Sequence, residues 1–137
     1  MPLLSNVDWG KVFKTTAIIY LSFQAGAVWT NLHAENEYER VTSPDGRYTA
    51  VVTYPNWATS MVFTPGHSSD KPGFITIYGT DQTNYGKIPI PMLFFIHDLR
   101  WEKNGASLTG IGEWNFKEWE YWYWNEDQDK KIYGSAR

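Results

Sequence analysis

The sequence predicts a mainly β protein: a single N-terminal transmembrane helix followed by a small antiparallel β domain, a sandwich or an open barrel. An apolar run lies between Trp9 and Trp29, short segments of alternating polarity follow it, and turn sequences separate those segments. About a hundred residues remain after the apolar run, which is enough for one domain with its own core. The predicted organisation is an anchor at 1–34, a linker at 35–42 and a β domain at 43–137.

The apolar run is predicted to cross a membrane. At about 1.5 Å per helical residue, its two flanking tryptophans stand roughly 30 Å apart, the thickness of a bilayer's hydrocarbon core. Tryptophan is also enriched at both membrane surfaces. The small residues Ala25, Gly26 and Ala27 allow close packing of a second helix. The residues predicted to form the membrane anchor are Trp9, Ile18, Ile19, Leu21, Phe23 and Trp29.

The lysines before this run predict its orientation. Lys11 and Lys14 favour a cytoplasmic N-terminus and a periplasmic or lumenal C-terminal domain. Two alternatives stay open. Residues 15–23 fit the apolar region of a cleaved signal peptide, with 25–27 as its cleavage pattern. The other alternative is a buried helix of a soluble protein, although the run is apolar nearly all round.

The β domain begins after the charged range 35–42, which is typical of a linker. Residues 43–46, Ser-Pro-Asp-Gly, predict a turn in which proline sets φ, aspartate caps and glycine accepts positive φ. Residues 47–54 then alternate in polarity and predict a half-buried strand. Residues 55–72 contain three prolines and predict a long loop.

Turn signals divide the remaining chain into further strands. Asn104-Gly105 predicts a hairpin with a type I′ turn, because both residues tolerate left-handed φ values. The whole domain is then a meander of about seven strands. The further predicted strands are 73–78, 85–90, 93–101, 106–114, 118–124 and 131–133.

Composition excludes several classes of site. The net charge of −3 does not predict nucleic-acid binding, and the absence of cysteine rules out disulfides, thiolate metal sites and cysteine nucleophiles. Asp127 and Asp129 lack the glycine and the distal glutamate of a calcium loop. We therefore predict no metal and no cofactor.

Potential catalytic residues are few, and none of them is predicted to take part in catalysis. His97 and Asp98 would point to opposite faces of a strand, so they cannot form a dyad with each other. Residues 67–70, His-Ser-Ser-Asp, lack a nucleophile turn. A glycosidase-like hydrolase is a distant alternative, and its candidate carboxylates are Glu113, Glu118 and Glu120.

The strand 118–124 carries aromatic rings on both faces. Trp119, Tyr121 and Tyr123 share one face, and Trp122 and Trp124 share the other. One small core cannot take both sets, so one face is predicted to meet a partner or a ligand, unless the 55–72 loop covers it. The predicted contact residues are Trp57, Phe63, Trp122 and Trp124.

Two segments resemble a known family. Residues 43–54, which begin Ser-Pro-Asp-Gly-Arg-Tyr, resemble the inner hairpin of TolB- and WD40-type β-propeller blades, and residues 99–111 resemble a second copy. A closed propeller needs about four blades, and this chain has room for roughly two. The resemblance therefore implies local hairpins and no propeller function.

These observations predict a non-enzymatic accessory or stabilising subunit of an integral membrane protein complex, such as a respiratory, photosynthetic or transport assembly. The helix would anchor it, and the β domain would act on the exported face. The alternative is a cell-envelope module that binds a ligand or carbohydrate on an exposed Trp/Tyr platform.

Overall fold

The fold comes from a computed structural model that describes residues 8–59 and 70–137. The chain forms two units, Met1–Ala34 and Glu35–Arg137. The first contains one long helix, and the second contains a four-stranded and a five-stranded antiparallel sheet. The prediction of a mainly β protein is confirmed.

The helix α1 spans Trp9–His33. It begins at Asp8, whose carboxylate accepts a hydrogen bond from the backbone N–H of Lys11 at 3.3 Å. The Thr30 hydroxyl bonds to the carbonyls of Gly26 and Ala27, each at 3.0 Å, within the stretch predicted to pack on a partner helix. Every side chain of α1 is exposed.

The predicted membrane crossing is wrong. Neither α1 nor any other helix within residues 8–59 and 70–137 combines the length and the apolar character that a crossing needs. α1 has 25 residues, which is sufficient length. However, Lys14, Ser22 and Gln24 interrupt its apolar residues, and polar groups in hydrocarbon cost free energy. The six residues assigned to a membrane anchor are instead exposed side chains of a helix that is too polar to span. They are Trp9, Ile18, Ile19, Leu21, Phe23 and Trp29.

The first sheet, sheet A, has the strand order β1-β2-β3-β4. The charged range 35–42, which suggested a linker, is its edge strand and pairs with β2 from Glu35↔Pro55 to Thr42↔Thr49. Its charges are compatible with a strand because edge strands commonly carry charged side chains. The four strands are β1 (Glu35–Thr42), β2 (Tyr48–Pro55), β3 (Gly73–Gly79) and β4 (Asn84–Ile90).

The turn predicted at 43–46 joins β1 to β2. The carboxylate of Asp45 accepts hydrogen bonds from the Ser43 hydroxyl at 2.6 Å and from Arg47 Nε at 2.7 Å. Gly46 adopts φ +72° with no heavy atom near a hypothetical Cβ, so glycine is favoured there by backbone conformation alone. Two parts of the mechanism that the sequence suggested are therefore confirmed: the aspartate that accepts hydrogen bonds and the glycine at positive φ.

Acid is expected to weaken this turn. The hydrogen bonds from Ser43 and Arg47 lower the pKa of Asp45 from 3.8 to about 2. Because the folded-state pKa is the lower one, the contribution to stability is complete above pH 3.8 and is lost as the pH falls through about 2. Urea midpoints of the wild type and Asp45→Asn should therefore differ more at about pH 6 than at about pH 2.5. A difference that does not change with pH would contradict this assignment.

The second sheet, sheet B, has the order β5-β6-β7-β8-β9 and follows a 3-10 helix, Leu93–Asp98. A short helix, α2 (Asn56–Thr59), follows β2 of sheet A.

The prediction of one strand over 93–101 is wrong, because residues 93–98 form the 3-10 helix. Its buried residues Leu93 and Ile96 are three positions apart, which places them on one side of such a helix. The strands are β5 (Arg100–Glu102), β6 (Gly105–Leu108), β7 (Gly112–Asn115), β8 (Glu120–Asn125) and β9 (Lys130–Ser135).

The hairpin predicted at Asn104-Gly105 exists, but its turn is not the predicted type. Glu102 pairs with Gly105, and neither Asn104 nor Gly105 is among the described residues with positive φ. A Cβ on Gly105 would lie 2.4 Å from the carbonyl oxygen of Trp114. Close backbone approach, rather than a left-handed conformation, therefore accounts for the glycine.

The core lies between the two sheets. Trp114 of β7 is almost fully buried, and its indole Nε1 donates to the backbone oxygen of Gly86 on β4 at 3.1 Å. This bond joins sheet B to sheet A and satisfies the one polar atom of a large apolar side chain. The buried residues that form the common core are Ala50, Val52, Ile75, Ile77, Ile88, Ile90, Leu93, Ile96, Ala106, Leu108, Trp114 and Phe116.

An aromatic cluster adds a second connection between the sheets. Tyr48 and Tyr85 of sheet A contact Phe116, which follows β7, at centroid distances of 4.1 and 5.0 Å. Tyr85 also stacks on Trp119 at 4.9 Å. Trp119 lies in the turn before β8 with φ +62°, a conformation that costs a non-glycine residue free energy. Its ring contacts Tyr85 and Arg137 in this conformation.

Candidate functional site

The strand β8 places its aromatic rings on two faces, as its alternation predicted. Tyr121 and Tyr123 pack against the core, whereas Trp122 and Trp124 lie on the opposite face. Trp119 is the exception, because it belongs to the preceding turn.

The face opposite the core presents residues from three neighbouring strands. Trp122 lies across from Glu113 of β7 and Tyr133 of β9, and Trp124 lies across from Lys131. Residues paired in this way share one face of a sheet. We call Glu113, Trp122, Trp124, Lys131 and Tyr133 the outer aromatic face.

Trp122 is already engaged within this face. Its Nε1 donates to the Glu113 carboxylate at 3.1 Å, and Lys131 Nζ lies 3.9 Å from its ring centroid. Trp124 and Tyr133 are freer, with 39% and 73% of their surfaces exposed. The rings available to another molecule are therefore those of Trp124 and Tyr133.

A groove of about 340 Å³ lies beside Trp124. Pro89 and Pro91 at the end of β4 form one part of its lining, and Tyr123 and Trp124 form another. Two carboxylates, Glu126 and Asp127, also line it, and neither forms an ion pair with any residue that the structure describes. The groove thus combines apolar walls with unpaired negative charge.

The predicted contact residues are only partly brought together. Trp122 and Trp124 share the outer aromatic face, but Trp57 lies on α2, which follows a strand of sheet A. Phe63 lies outside the described residues. The same holds for most of the 55–72 loop, which was the alternative prediction for what covers this face. The sequence analysis did not include Tyr133 among the contact residues. Pairing the predicted final strand, 131–133, with the strand 118–124 would have placed Tyr133 beside Trp122.

The outer face of sheet A contrasts with this surface. Lys87 pairs with the Glu35 carboxylate across the sheet, and the same carboxylate accepts from the Thr53 hydroxyl at 2.7 Å. Partial burial raises the pKa of Glu35, but these hydrogen bonds outweigh burial and hold its pKa below the usual value. Val51 and Thr76 are largely buried on that face. Polar side chains of the chain itself therefore occupy this face.

The potential catalytic groups are dispersed. His97 lies on the 3-10 helix rather than on a strand, and its Nε2 is 3.7 Å from a carboxylate oxygen of Glu39 on β1. Glu113 bonds to Trp122, and the Glu118 carboxylate accepts from the Asn115 amide at 3.2 Å. Of the 67–70 segment, residues 67–69 fall outside the described ranges.

No group of three or more potential metal ligands occurs within residues 8–59 and 70–137. Comparison of the chain with models of protein families, with curated proteins and with solved structures finds no match. Its function is therefore inferred from its own surfaces.

Proposed function

We propose that this chain is a non-enzymatic accessory subunit that binds a partner protein through the outer aromatic face of sheet B. The observation that carries the proposal is the exposure of Trp124 and Tyr133 beside the partly buried Trp122. Tyrosine and tryptophan are the residues that most often dominate protein interfaces, because they combine a large apolar area with a polar group. The matching face of sheet A is occupied by its own ion pair.

The helix α1 supports a role within an assembly. Its large apolar residues are exposed around the whole circumference, including Phe13, Ile18, Leu21 and Phe23. Exposed apolar side chains that lie close together commonly mark a site of interaction. The helix therefore offers contact area in addition to that of the β domain.

The alternative, a module that stacks on a ligand or carbohydrate, needs several rings with free faces. Lys131 covers one face of the Trp122 ring, and the Glu113 carboxylate holds its N–H. Trp124 and Tyr133 then keep the exposed rings of this face, and they are not cross-strand partners of each other. This arrangement favours protein contact over a stacking platform.

Capture of the partner tests the proposal. The full-length chain, carrying an affinity tag, is purified from its native host under mild conditions, and the retained proteins are quantified by mass spectrometry. We expect a stoichiometric partner, whose recovery falls about tenfold or more in Trp124→Ala/Tyr133→Ala because interface aromatics contribute more than about 1.4 kcal/mol.

The matched control is Tyr78→Ala, which removes an aromatic ring from the outer face of sheet A. It should leave recovery unchanged, and thermal melts should show that every variant is folded. Equal loss of the partner in the two variants would contradict a specific role for the outer aromatic face.

A further inference from the structure

Cations cover several aromatic rings of this domain. Arg137 lies 4.9 Å from the ring centroid of Trp119, and Lys131 lies 3.9 Å from that of Trp122. In sheet A, Lys87 lies 4.3 Å from the ring centroid of Phe74. A cation over an aromatic face is attracted by the negative potential of the ring.

Trp124 differs from these rings. Among the described residues, no Lys or Arg lies over its indole and no aromatic ring stacks on it. Lys131, its cross-strand neighbour on β9, lies over the Trp122 ring instead. The groove beside Trp124 contains the carboxylates of Glu126 and Asp127 and no basic lining residue from the described part of the chain. In the described part of the chain, an indole without a cation and two carboxylates without an ion pair therefore line the same groove.

We propose that this groove binds an arginine side chain from a basic segment of the partner protein. The guanidinium stacks on Trp124 and its N–H groups pair with Glu126 or Asp127, while Pro89 and Pro91 contact the methylene stem. Arginine fits better than lysine because its planar group stacks and forms two parallel hydrogen bonds to a carboxylate.

The overall charge of the domain favours the same partner. Residues 35–137 contain 14 Asp and Glu and 10 Lys and Arg, a formal net charge of −4. A basic segment is therefore attracted at long range as well as in the groove, and its binding should weaken with salt. This inference rests on the proposed function and specifies the chemistry of the partner.

The probe is an acetylated, amidated hexa-arginine peptide, titrated into the full-length ¹⁵N-labelled chain. The indole N–H signal of Trp124, assigned by its loss in Trp124→Phe, should shift in a saturable way. Hexalysine should bind about threefold or more weakly, since it cannot pair bidentately, and hexaglutamate should cause no shift. Equal binding of all three peptides, or an unmoved Trp124 signal, would overturn the inference.

Charge-neutralising variants supply the second test. Glu126→Gln/Asp127→Asn should weaken hexa-arginine binding about fivefold or more. The matched control, Glu118→Gln/Glu120→Gln, removes the same charge from residues that do not line the groove and should weaken binding less than twofold. Equal weakening in both variants would show nonspecific attraction and overturn the site.

The two proposals fail in different ways. Capture of a partner that depends on Trp124 and Tyr133, without a response to hexa-arginine, overturns the arginine site and leaves the proposed function standing. A specific response to hexa-arginine without any captured partner supports the site and contradicts the proposed function.

Discussion

Replacing Gly86 with alanine is expected to lower the free energy of unfolding by about 3 kcal/mol. Gly86 has φ +115°, a backbone conformation that strains any side chain. In addition, a Cβ at this position would lie 2.3 Å from Cδ1 of Tyr121. The alanine therefore adds backbone strain to a clash at the contact between β4 and β8, where sheet A meets sheet B.

Alanine variants at two other glycines measure the backbone strain and the clash with Tyr121 separately. Gly110 also has positive φ, but no heavy atom lies near its hypothetical Cβ, so Gly110→Ala should cost only about 1 kcal/mol. A Cβ on Gly134 would lie 2.3 Å from Cζ of Tyr121, and Gly134 is not among the described positive-φ glycines, so Gly134→Ala tests the clash alone. Urea unfolding of the three variants measures each cost. If Gly86→Ala loses no more free energy of unfolding than Gly110→Ala, the clash has no cost and the Tyr121 ring moves aside freely.

Trp114→Ala is expected to destabilise the domain by about 4 kcal/mol. The substitution removes the largest fully buried side chain of the common core and the hydrogen bond from its indole to the Gly86 carbonyl. The carbonyl would then be buried without that partner, which adds to the cost of the cavity.

Trp124→Ala is the matched control, because the same side chain is removed from an exposed position. It should change stability by less than about 1 kcal/mol. Chemical unfolding followed by circular dichroism measures all variants, and Trp114→Phe provides an intermediate case should the alanine variant fail to fold. Similar costs at positions 114 and 124 would contradict the placement of the core.

The outer aromatic face shows how far a local pattern reaches. Alternation along 118–124 correctly separated Trp122 and Trp124 from Tyr121 and Tyr123, because successive side chains of a strand point to opposite faces. The groove beside Trp124 could not be found in this way. Its prolines and its carboxylates lie far apart in the sequence, and only the packing of β4 against sheet B brings them together.

The N-terminal helix shows where a local pattern misled. The spacing of Trp9 and Trp29 depends on length alone, whereas the free energy of crossing a bilayer depends on every side chain between them. Lys14 and Gln24 therefore count against a crossing that the two tryptophans suggested.

The sequence by itself determined features whose causes lie within a few residues: a mainly β chain, the Ser43–Gly46 turn, and the two faces of β2 and β8. The tertiary structure decided the 3-10 helix at Leu93–Asp98, the edge strand β1, and which aromatic rings receive a cation. These features depend on contacts between different secondary-structure elements. Burial against other elements and pairing between neighbouring strands supply their free energy, and a local pattern of residues does not encode which elements meet.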